Sequence, residues 1–154
     1  MFEQYKTFIG RKEPPNRFWP LTEPVIAAAE ARLGYQFPLE LRTFYLEIGH
    51  GFYAQGVSDR ARTNVNRILS PNAIVDLVTM KSNPQRPPEG FPADTMPFFD
   101  TGSWTYLVLK PTNEPRRVYG PSGHTVISES VHEFFAALYN KSDFYIEKFQ
   151  PWRN

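Results

Sequence analysis

Three histidines, one helix-borne glutamate and a group of arginines beside a tyrosine are the residues of this chain whose types could do chemistry. His50, His124 and His132 lie far apart and none belongs to an H-E-x-x-H pair, so they do not read as a metal site. There is no cysteine, which removes disulfides, thiol catalysis and thiolate zinc ligation. Gly120-Pro121-Ser122-Gly123 falls one residue short of a G-x-S-x-G nucleophile elbow and reads as a turn. Neither a P-loop nor a dinucleotide loop has its glycine spacing here. Glu30, flanked by alanines near a helix C-terminus, opposes the helix dipole and needs a cationic partner or solvent; it reads as a paired or solvated charge rather than a catalytic acid. Arg60, Arg62 and Arg67 follow Tyr53 and supply the guanidinium and ring faces that single-stranded nucleic-acid grooves use. Asp59 and a formal net charge of only +1 favour a solvated loop instead. No enzymatic activity, cofactor or metal is expected, and direct nucleic-acid binding is not.

The elements that would position any site are marked most densely between Thr22 and Gly51. Ile26, Ala29, Glu30 and Leu33 line one helical face, Thr22 is placed to cap it, Pro24 lies in its first turn, and Gly34 stops it. A second helix is expected from Pro38, with Leu41, Phe44, Tyr45 and Ile48 on its buried face and Gly49 as its end. Its other face carries Glu40, Arg42, Thr43 and Glu47; both charge signs are mixed there, unlike a helix that enters a DNA groove.

Hydrophobic residues are 41% and charged residues 21% of 154, a balance that argues for one packed domain rather than a disordered segment. No signal-peptide core opens the chain and no apolar run approaches membrane-spanning length, so a cytoplasmic protein without membrane insertion is expected. Residues 1–21 read as a leader that packs on the domain, with a short helix over Phe2 to Ile9 stopped by Pro14-Pro15. Residues 22–140 form the domain and 141–154 an aromatic tail, for which docking on the domain and a partner surface are both open. Phe52-Tyr53-Ala54 and Ile68-Leu69 read as short strands, and Ser70-Pro71 opens a helix with Ile74, Leu77 and Val78 inward. Prolines at 84, 87, 88 and 92 predict a loop, and Pro97 tolerates only an edge or initial strand position. A hairpin follows, with its turn at Asp100-Thr101-Gly102-Ser103, then strands over Arg116 to Tyr119 and Thr125 to Ile127. Ser130 and Glu133 make a capping box for a last helix with Val131, Phe134, Phe135 and Leu138 inward. The fold class is α+β, a mostly antiparallel sheet of four to six strands flanked by helices.

The run Ile26-x-x-x-Glu30-x-x-Leu33-Gly34-x-x-Phe37-Pro38-x-x-Leu41-x-x-Phe44-Tyr45-x-x-x-Gly49-x-Gly51 resembles the opening motif of the SUKH superfamily, the Smi/Knr-like domains. A looser likeness continues through Leu69-Ser70-Pro71, the strand pair around Met96 to Leu109, and Ile127-Ser128-x-Ser130-x-x-x-Phe134-Phe135-x-x-Leu138. The resemblance implies a non-enzymatic immunity protein that neutralises a cognate toxin, of the nuclease type in many relatives, by direct binding. Its alternative, from the fungal relative, is a regulatory scaffold for an endogenous protein in cell-wall synthesis. The near-neutral charge predicts shape-led recognition rather than polyanion mimicry.

The expected binding edge combines Tyr53, Asp59 and Arg60 with Asp100 and Trp104 at the hairpin. Aromatic and arginine side chains dominate interface energies, which makes Trp104 a good anchor if it faces out. Alternation with Tyr106 and Val108 assigns it a common face without saying which one.

Overall fold

Both helical patterns fold where their spacing places them. Helix α1 spans Glu23–Leu33, with Gly34 in the left-handed region at φ 86° and its N–H returned to Glu30 O. Helix α2 spans Leu39–Glu47 and buries Leu41, Phe44 and Tyr45. Thr22 stands at the N-cap of α1 but its side chain makes no capping bond; Pro24 alone marks the start. The computed structural model describes residues 1–12, 16–54, 65–80, 82–102 and 105–149.

Among those residues seven strands form one antiparallel sheet in chain order: β1 Arg17–Trp19, β2 His50–Phe52, β3 Arg67–Ile68, β4 Met96–Gly102, β5 Thr105–Lys110, β6 Glu114–Tyr119 and β7 Val126–Ser128. The meander is as expected, with more strands than four to six. The N-terminal segment supplies β1, and strands of two or three residues are too short to leave a period-two pattern. β2 also starts earlier than expected, at His50. Asp100 and Gly102, expected in a turn, lie in β4 opposite Tyr106 and Thr105. Pro97 is the second residue of this central strand, and the ladder shifts register between Pro97 and Phe99, a bulge of the kind that tolerates a missing donor.

Helix α3, Pro71–Thr79, is capped by Ser70, whose hydroxyl accepts from Ala73 N–H at 3.1 Å; it buries Ile74, Val75 and Leu77, with Val78 half-buried. Helix α4, Val131–Asn140, is capped by Ser130, which accepts from Glu133 N–H at 3.0 Å. The core lies between one face of the sheet and these helices. Phe44 stacks on Phe135 at 3.8 Å, and Phe18 and Tyr5 meet Phe44 edge-on. Tyr5 and Phe8 of a 3-10 helix, Glu3–Phe8, and Phe2 just before it join the same cluster, so the N-terminal segment is part of the core. At the other end Tyr145 is fully buried against Phe99, ahead of a short helix α5, Ile146–Phe149. Asn66, at φ 50° and fully buried, donates to Ser142 O at 2.6 Å and accepts from the Tyr145 hydroxyl, which ties this segment to β3.

Gly49 and Gly51 close β1 onto β2. A Cβ at Gly49 would stand 1.8 Å from Trp19 O, and one at Gly51 2.1 Å from Arg17 O and 2.9 Å from the Phe18 ring. Only glycine permits that approach. Gly49 therefore does more than end α2, which already stops at Glu47.

Candidate partner-binding face

Strand register sorts the sheet into two rows, because residues paired across antiparallel strands share a face. One row runs Phe18, Gly51, Ile68, Phe99 and Leu107, and its side chains are fully buried under the helices. The other runs Arg17, Phe52, Arg67, Asp100 and Tyr106. Its first four members are half-buried, and Trp19 and His50 lie beside them on the same face, Trp19 being 38% exposed.

These groups are arranged as a layer. The Trp19 and His50 rings stack at 5.4 Å, Phe52 meets Trp19 edge-on at 6.4 Å, and the Arg17 guanidinium lies 5.2 Å from the Trp19 ring and 5.6 Å from the Phe52 ring. Cation–π contact holds Arg17 there at about 0.5–1 kcal/mol per ring. Arg17 Nη1 also donates to Lys12 O at 3.3 Å, while its buried Nε has no acceptor among the described residues. His50 is pushed below its usual pKa by burial and then by the Arg67 charge, so it is neutral at pH 7. Asp100 is raised, chiefly by burial, against the opposing pull of the Gly102 N–H, which it accepts at 2.8 Å, and of Arg67. The far end of the row is covered. Tyr106 donates to Gln85 O at 2.8 Å and meets Phe91 edge-on, and its pKa is pushed up to about 12, first by burial and then by Asp100. Arg86 fastens the covering loop by donating to Leu77 O and Val78 O at the C-terminal end of α3.

Of the residues expected at a binding edge, Asp100 lies in this row. Tyr53 does not: it is fully buried, donates to Tyr139 O at 2.9 Å and packs on Tyr5 and Phe8, so it offers no surface to a partner. Asp59, Arg60 and Trp104 lie outside the described residues. Sequence reading missed Arg17, Trp19, His50 and Phe52. The alternation of Arg17 and Trp19 about the buried Phe18 was their signal, and three residues are too few to stand out.

The second charged group is structural. Glu30 is 8% exposed, accepts from Phe37 N–H at 2.7 Å and receives both Nε and Nη2 of Arg42 at 2.9 Å; Arg42 also pairs with Glu23. Burial raises the Glu30 carboxyl, but the Arg42 hydrogen bond, the Phe37 N–H and the Arg42 charge together hold it below the ordinary range. The charged face of α2 is thus engaged: Arg42 clamps α1, Glu40 accepts from His132 N–H at the start of α4, and Glu47 accepts from Phe2 N–H. An open depression of about 450 Å³ between the proline-rich loop and β5 is lined by Phe91, Tyr106 and Pro121 and gathers no acid–base pair. Among the described residues no group of His, Asp or Glu could hold a metal, and no helix is long and apolar enough to cross a membrane.

The family described as SMI1 / KNR4 family (SUKH-1) matches residues 20–137. A Bacillus subtilis (strain 168) protein named Immunity protein YxxD is 38% identical over 61 residues, 40% of this chain; the chain spans 38% of that relative's length. No solved structure matches.

Proposed function

Because the chain belongs to the SMI1 / KNR4 family (SUKH-1), we propose that it is an immunity-type protein-binding domain that neutralises a cognate toxin by binding it directly. The observation that carries this reading is the relative named an immunity protein. Binding requires no catalytic residues, and among the described residues the buried ion pair of Glu30 with Arg42 is committed to joining α1 to α2. Action in the cytoplasm of the producing cell belongs to the same proposal.

The test is to search the genes beside this one for a toxin-like product and to express that product in a heterologous host, with and without this chain. Restored growth and co-elution of the two purified proteins are expected. A soluble, folded chain that neither protects nor co-elutes sinks the reading and leaves the regulatory scaffold, for which a growth phenotype without any toxin is the mark.

A further inference from the structure

We propose that the outer face of β1 to β4 is an interaction surface for an acidic protein segment, one that presents a carboxylate beside an apolar or aromatic side chain. This rests on the reading of the chain as a protein-binding domain and deepens it by naming the partner's chemistry.

Charge complementarity selects the occupant. Among the described residues of the face Arg17 and Arg67 are the cations, and His50 is neutral there. The one carboxylate among those described residues, Asp100, accepts from the Gly102 N–H. The Arg17 guanidinium is held over two rings, and among the described residues it has no carboxylate in ion-pair distance and its Nε has no acceptor. A carboxylate arriving on this face would supply that acceptor and draw the guanidinium to itself. Trp19, exposed at the rim of the same layer, supplies the apolar half of the contact, and Trp with Arg is the pairing that dominates interface energies. A polyanion fits less well: two cations among the described residues of the face are too few to track a phosphate backbone, and Asp100 stands between Arg67 and Tyr106 in the row. An acidic contact is the opposite of a nuclease's basic cleft, so a nuclease partner would be gripped away from that cleft.

The experiment presents a library of short random peptides to the whole chain, with Arg17→Gln/Arg67→Gln and Trp19→Ala in parallel. The wild-type pool should be enriched in Asp or Glu next to Leu, Phe, Tyr or Trp. Binding of the selected peptide should fall about tenfold or more in each variant and weaken with added salt. All three positions are partly exposed, so circular dichroism and melting should stay near wild type. A pool without acidic enrichment, or folded variants that bind as well as wild type, overturns the proposal. So does tighter binding of a single-stranded oligonucleotide than of any peptide. The neighbouring toxin-like product separates the two readings. If it binds wild type and variants alike, the face is wrong and the immunity reading stands; if acidic peptides bind and it does not, the face stands and the immunity reading fails.

Discussion

Removing the Glu30 carboxylate tests whether α1 and α2 are joined as described. In Glu30→Ala the Phe37 N–H, on a residue 3% exposed, loses its acceptor. Leaving a buried donor unmade costs about 1–3 kcal/mol. Arg42 loses a two-pronged partner but keeps Glu23, and its side chain is 21% exposed, so its share belongs below the usual range for a broken buried pair, at about 1–2 kcal/mol. The sum is about 2–5 kcal/mol, which for a chain of this size lowers the melting temperature by roughly 4–20 °C. Glu30→Gln keeps an acceptor for Phe37 and should lose about half as much. Urea denaturation of Glu30→Ala, Arg42→Ala and the pair gives the coupling directly. Acid supplies a second readout. The folded carboxyl sits below its ordinary 4.5, so its contribution is full above that value and is lost as the pH falls through the lower folded value. The gap between wild type and Glu30→Ala should therefore close in acid. A Glu30→Ala midpoint within about 0.5 kcal/mol of wild type, or no coupling to Arg42, refutes the clamp.

Phe44→Ala should cost about 3–5 kcal/mol, since it removes a fully buried ring stacked on Phe135; chemical denaturation reads this, and an unchanged midpoint shows that the α2 face is misassigned. Gly49→Ala places a methyl carbon against Trp19 O and should cost more than about 4 kcal/mol, seen as loss of soluble folded protein; a variant that melts like wild type would mean that β1 does not lie on β2 as described.

What the sequence by itself determined is what short-range chemistry controls. Gly34 ends α1 because a left-handed residue is needed at that one position, and Ser70 and Ser130 start α3 and α4 because a hydroxyl reaches an N–H three residues on. The buried stripes of α2 and α4 follow from a 3.6-residue period, and the meander follows from the short connections after β4. The family likeness was carried by these same residues. It was also carried by Gly49 and Gly51, whose reason lies elsewhere: they make room for β1, far upstream in the chain. Tertiary structure decided which cation answers Glu30, since its spacing demanded a partner without naming Arg42. It decided that Tyr53 goes inside, because Tyr5 and Phe8 from the N-terminal segment and Tyr139 from α4 close around it. It also decided the candidate face, whose residues come from four strands and meet only through register. No local pattern encodes that alignment, because a row across a sheet is built from hydrogen-bonded neighbours that are distant in the chain.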